Sequence, residues 1–92
     1  MASQNSTSPI GIYDSGVGGL TVWRAVRALL PEEDLLYFAD QANVPYGVRS
    51  LEEIRGLAEG VTHYLMNEGA KLIVIACNTA SAAALKHLRD LY

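Results

Sequence analysis

The chain has 92 residues, half of them hydrophobic, with 7 basic and 10 acidic side chains and a net charge of −3. That size suits one small globular unit or one piece of a larger one, and the scattered basic residues argue against nucleic-acid binding. A single cysteine, Cys77, excludes an internal disulfide and a zinc site built on cysteines.

Met1 to Ser8 is small and polar, without the apolar centre of a signal peptide, and is expected to be a disordered leader preceding an α/β domain over 9–92. The longest apolar run, Leu72 to Cys77, is too short to cross a bilayer. With a lone thiol, these features predict a cytoplasmic protein with no membrane partner.

Three apolar runs alternate with three helical patterns. The first run, Ile10 to Tyr13, leads to a helix from about Gly19 to Leu30. Its Leu20, Trp23, Val26 and Leu30 keep a helical period, Trp23 is expected in the core, and Pro31 ends the segment. The second run, Leu35 to Ala39, precedes a helix opened by Ser50 with Glu53 three residues on, a capping box. Leu51, Ile54, Leu57, Ala58, Val61 and Leu65 share one face of it, and Gly69 is the expected stop. Gly56 and Gly60 weaken its interior by about 1 kcal/mol each against alanine, and are read as marks of close packing. The third run, Leu72 to Ala76, is followed by a helix starting near Thr79 or Ala80 and continuing to the end of the chain. Continuous apolar runs predict strands buried on both faces, and the βαβαβα order predicts a parallel sheet flanked by helices. A three-stranded sheet leaves edges bare, so a homo-oligomer is one possible outcome. With no stop signal before Tyr92, a truncated product is the expectation.

In open parallel sheets ligands bind beyond the C-terminal ends of the strands. After the first strand comes Asp14-Ser15-Gly16-Val17-Gly18-Gly19. Leading into a helix N-terminus, it suits a carboxylate or phosphate, or serves only as a turn that uses glycine's positive φ. It is neither a dinucleotide fingerprint, because Thr21 stands at the third glycine position, nor a P-loop. After the second strand, Pro45-Tyr46-Gly47 forms a rigid turn that presents Tyr46 and Gly47 to a ligand or is an ordinary surface loop. After the third comes Cys77-Asn78-Thr79-Ala80-Ser81. A thiol at a helix N-terminus is activated below its free pKa of about 8.5; the alternative is a buried, inert cysteine. Cysteine-phosphatase spacing fails because Ala83 stands where arginine is needed, and Ala80 rules out a redox pair. His63 and His87 read as surface or packing residues, and Glu32, Glu33, Glu52, Glu53 and Asp90 as solvated charges.

Three segments together resemble the glutamate racemases, a cofactor-independent family. Ile10 to Val22 is similar to their opening motif, Tyr37-Phe38-Ala39-Asp40 with Pro45-Tyr46-Gly47 to their second, and Ile75 to Ser81 to their first catalytic-cysteine motif. The resemblance runs from Pro9 to Tyr92. It implies an α/β fold of two similar domains facing one cleft, and interconversion of L- and D-glutamate without pyridoxal phosphate or metal. It also implies a place in supplying D-glutamate for peptidoglycan. By the same resemblance Cys77 is one of two acid/base thiols, and Asp14 contacts substrate and assists proton transfer or orients the ammonium group. Ser15, Tyr46, Gly47, Asn78 and Thr79 bind substrate, and Ser81 is a weaker candidate. The family's second thiol lies in a later Gly-Cys-Thr-His segment that this sequence does not contain. A racemase for aspartate or another amino acid, and a non-catalytic carboxylate-binding or interaction fragment, stay open as alternatives.

Overall fold

The computed structural model describes residues 7–16 and 20–92. Most of the expected leader, and Val17, Gly18 and Gly19 of the first loop, lie outside the described residues; Ser8, at the leader's end, is buried. Strand β1 spans Ile10–Asp14, helix α1 Leu20–Leu29, β2 Leu35–Ala39, α2 Leu51–Asn67, β3 Leu72–Ile75 and α3 Asn78–Leu91. Two single turns of 3₁₀ helix, Gln41–Asn43 and Tyr46–Val48, join β2 to α2.

The strands form one parallel sheet in the order β2-β1-β3. Ile12 stands between Tyr37 and Val74, and Tyr13 between Phe38 and Ile75. As the middle strand, β1 is buried along its whole length, which its unbroken apolar run requires. The two outer strands are half-buried, and Leu72, at the start of β3, is 55% exposed.

Alternation along the strands divides the core. Tyr13 joins Leu65, Ala58, Ile54 and Leu88 in a cluster built with α2 and α3. Gly11 points the same way: a Cβ there would stand 3.3 Å from Ala70 Cβ and from Leu65 Cδ1, so α2 presses directly on the β1 backbone. Helix α1 contributes nothing to this cluster. The crossovers leave β1 and return to β3 in opposite directions, so right-handed connections put α1 on the other face.

Local chemistry sets the helix ends. Ser50 accepts from the Glu53 amide at 3.1 Å while the Glu53 carboxylate accepts from the Ser50 amide, completing the capping box. At the other end, Gly69 adopts φ 88°, its N–H donates to Met66 O, and the Ala70 N–H donates to Leu65 O. Those paired bonds are a Schellman motif, which favours glycine at this one position. Helix α3 starts earlier than expected, at Asn78 with Cys77 as its N-cap, and β3 ends one residue sooner, at Ile75.

Two expectations are corrected. Trp23 is only half-buried, and no described residue of α1 is fully buried, because α1 packs mainly on β2, itself an outer, half-buried strand. Gly56 and Gly60 do not mark close packing: a Cβ at either would meet nothing within 4 Å. Lys71 and Glu33 form an ion pair at 2.6 Å, and Arg27 donates to the carbonyls of Pro31 and Glu33, which secures the turn after α1.

Candidate active site at the strand ends

The C-terminal ends of all three strands are tied together through the backbone. The Asp40 N–H donates to Asp14 O and the Ala76 N–H donates to Tyr13 O, each at 2.8 Å. The loops that follow are therefore held side by side.

At the end of β1, Asp14 is buried, and its carboxylate accepts from the Ser15 N–H at 2.8 Å and from the Tyr37 hydroxyl at 3.1 Å. Burial and the adjacent Asp14 carboxylate push the Tyr37 phenol up to about 12, so it stays a donor to that carboxylate. Asp14 is thus oriented from two sides.

At the end of β3, Cys77 is 7% exposed. Its sulfur accepts from the Ala80 N–H at 3.4 Å, and its carbonyl accepts from the Ser81 N–H, starting α3. The Ser15 hydroxyl lies 3.1 Å from the sulfur. The thiol is buried and sits at a helix N-terminus with a hydroxyl and an amide as neighbours. Asn78 and Thr79, in the first turn of α3, are exposed beside it.

After β2, the Val44–Pro45 peptide is cis and the chain turns through Tyr46–Val48. Gly47 is exposed at this turn, whereas Tyr46 is buried and aims its hydroxyl inward to Asp40 and Tyr13. A Cβ at Gly16 or Gly47 would meet nothing within 4 Å, and neither residue has positive φ. Neither packing nor backbone conformation therefore demands glycine there, and both positions leave room for a ligand to approach the main chain.

The structure thus brings Asp14, Ser15 and Cys77 into one hydrogen-bonded group, with Asn78 and Thr79 on the helix turn beside the thiol. It adds Tyr37, Tyr13 and Asp40, none of which the sequence marked as a ligand-site residue. The parallel register that sets Tyr37 beside Ile12, two residues before Asp14, was the available signal for Tyr37. Ser81 contributes its N–H to the start of α3. His87 lies away from the strand ends and pairs with Glu59 of α2 at 2.5 Å. Among the described residues no group of three or more His, Cys, Asp or Glu is placed to hold a metal ion. A groove of about 470 Å³ between β3, α2 and α3 is lined by Thr62, Ile73, Leu85 and Leu88, and does not include Cys77.

The comparisons with known proteins agree on one relationship. A glutamate racemase of Roseiflexus sp. (strain RS-1) is 60% identical over 87 residues, which are 95% of this chain and 32% of that protein. The chain is a glutamate racemase homologue. The crystal structure of the Thermus thermophilus glutamate racemase with β-chloro-D-alanine superposes with a TM-score of 0.93 at 50% identity, covering 97% of this chain and 35% of that one. The Francisella tularensis glutamate racemase solved with D-glutamate gives 0.87 at 41% identity, covering 92% of this chain and 32% of that one. No family model matches. The chain spans about a third of the length of the racemases it matches, their N-terminal portion. The homology extends to the fold: the α/β unit with a three-stranded parallel sheet and flanking helices is that of glutamate racemase structures. No described helix is long and apolar enough to cross a membrane.

Proposed function

We propose that this chain carries one wall of a glutamate racemase site, with Cys77 as one of the two thiols that exchange the α-proton of glutamate. The observation that carries the reading is the Ser15–Cys77 contact at the head of α3, in a chain 60% identical to a glutamate racemase.

Inverting the α-carbon requires a proton to leave one face and another to reach the opposite face. In this reading the Cys77 thiolate takes the α-proton and becomes a thiol, while a second thiol across the cleft gives its proton to the other face. Roles reverse for the other enantiomer. Cys77 is the only cysteine of this sequence, so the second thiol comes from the remainder of a racemase rather than from this segment. The Ser15 hydroxyl and the Ala80 N–H steady the sulfur in its charged form. Asp14, held by Tyr37, faces the ammonium group and is a candidate proton acceptor. Asn78, Thr79 and the Gly47 main chain bind the carboxylates, and the N-terminus of α3 favours their charge. No metal and no organic cofactor has a step in this scheme. The product, D-glutamate, serves peptidoglycan synthesis, and its supply is a cytoplasmic reaction.

The test is alkylation of Cys77 by iodoacetamide at neutral pH with and without glutamate. Fast alkylation slowed by L- or D-glutamate, and by neither aspartate nor chloride at equal ionic strength, supports the assignment. Protection by aspartate instead would move it to a racemase for a shorter substrate. A thiol that reacts no faster than free cysteine and ignores both amino acids would leave a non-catalytic fragment.

A further inference from the structure

Beside the thiol lies a second polar chain, from a fully buried phenol to a buried carboxylate. Tyr13 on β1 is 0% exposed, and Tyr46 and Asp40 are both buried. Burying a carboxylate costs several kcal/mol, roughly, unless hydrogen bonds replace its water. Asp40 Oδ2 accepts from the Tyr46 hydroxyl at 2.5 Å, and Oδ1 accepts from Asn43 Nδ2 at 2.9 Å. With its only proton directed to Asp40, Tyr46 receives the 2.6 Å contact from Tyr13 as an acceptor. The relay therefore has a fixed direction, Tyr13 to Tyr46 to Asp40.

Each member belongs to a different part of the site. Tyr13 immediately precedes Asp14 and Ser15, Tyr46 immediately precedes Gly47, and Asp40 immediately follows β2. The two rings meet edge-on with centroids 6.5 Å apart, a contact phenylalanine at position 13 would make equally well. A hydroxyl buried at that depth is unfavourable unless paired, and its recorded side-chain partner is Tyr46. What the hydroxyl adds is registration between β1 and the turn.

We propose that Tyr13 is a positioning residue: through Tyr46 and Asp40 it fixes the Gly47 main chain relative to Ser15 and Cys77, so that the turn meets a substrate carboxylate without having to reorder. The inference rests on reading these strand ends as a glutamate site. Tyr13 touches no substrate and acts only through the turn.

The experiment compares the chain with its Tyr13→Phe variant by nitrogen-resolved NMR. Amide exchange of Gly47 and Val48 reports the turn, an L-glutamate titration followed on Gly47 reports binding, and iodoacetamide alkylation of Cys77 without glutamate reports the thiol. Loss of one buried hydrogen bond is expected to speed the turn's exchange, and to raise the half-saturating glutamate concentration, by about five- to tenfold. The alkylation rate stays at the parent's value, which general loosening of the fold would not allow. Tyr64→Phe, a tyrosine outside the relay that packs on Phe38, leaves all three readouts unchanged. If Tyr13→Phe loses helical circular dichroism, Asp40→Ala removes the relay's terminal acceptor and is expected to give the same two changes. Unchanged turn exchange and unchanged half-saturation in Tyr13→Phe would overturn the proposal. Faster turn exchange in a chain whose parent shows no glutamate shift would keep the relay's hold on the turn and remove glutamate as the ligand.

Discussion

Ser15 Oγ and Cys77 Sγ lie 3.1 Å apart, though 62 positions separate the two residues along the chain. The parallel pairing of β1 with β3 makes that contact, since it sets their C-terminal ends side by side. A hydroxyl there stabilises sulfur as an anion more than as a thiol, because hydrogen bonds to charged acceptors are about twice as strong as neutral ones. Ser15→Ala is therefore expected to slow iodoacetamide alkylation of Cys77 at neutral pH by about tenfold, the effect of losing one charge-assisted bond at a partly buried site. Thermal stability should change little. An unchanged alkylation rate would mean that the hydroxyl plays no part in activating the sulfur.

The buried phenols give the fold a pH dependence of known sign. Burial pushes Tyr13 up to about 12, with the nearby Asp40, Cys77 and Asp14 adding to the effect against the lowering influence of Tyr46. Tyr37 is raised to about 12 as well, chiefly by burial and the Asp14 bond. Tyr46 is raised further, by burial and by its bonds to Asp40 and Tyr13. The folded state therefore holds these protons more tightly than the unfolded chain, whose phenols titrate near 10.0. The stabilisation is complete below about pH 10 and is lost as pH rises toward 12. Urea midpoints should be level from neutrality to about pH 9 and then fall, while the tyrosinate absorbance lags behind five titrating phenols until the protein unfolds. Tyr13→Phe should flatten part of that decline. A midpoint that holds steady or rises through pH 11 would contradict this assignment.

The sheet and helix plan was legible because it depends on local patterns. The unbroken apolar runs at 10–13 and 35–39 matched β1 and β2 closely, and the Ser50–Glu53 box and Gly69 marked both ends of α2. Trp23 was misplaced because periodicity shows which face of a helix is apolar and not how much protein covers it. Gly56 and Gly60 misled for a related reason: glycine records a missing side chain, and only coordinates say whether anything fills the space. At the candidate site, Cys77, Asp14 and Ser15 were named from the resemblance of their motifs to a known family, and those motifs lie at strand ends. The relay was not, because Tyr13 reads as one more apolar strand residue and its partner lies 33 positions away.

Gly11 differs from Gly16, Gly47, Gly56 and Gly60, where a Cβ would meet nothing within 4 Å. Its neighbours Ala70 Cβ and Leu65 Cδ1 already stand 3.3 Å from where a Cβ would be, and both are buried in the cluster between β1 and α2. Gly11→Val should force α2 away from the sheet and destabilise the fold by about 1–3 kcal/mol, the usual cost of overpacking. Urea denaturation checks it directly. A midpoint equal to the parent's would show that the β1–α2 interface is looser than these distances require.

As proposed, Cys77 reaches the α-carbon of glutamate from one face. The most direct measurement is proton NMR of L- and D-glutamate in deuterated water with this chain, beside its Cys77→Ser variant. One thiol serves one face, so the α-proton signal of one enantiomer should be lost well ahead of the other's. Optical rotation should show no inversion, and Cys77→Ser should abolish the exchange. Retention of the α-proton in both enantiomers, or equal exchange with the serine variant, would contradict the claim that Cys77 acts as the base.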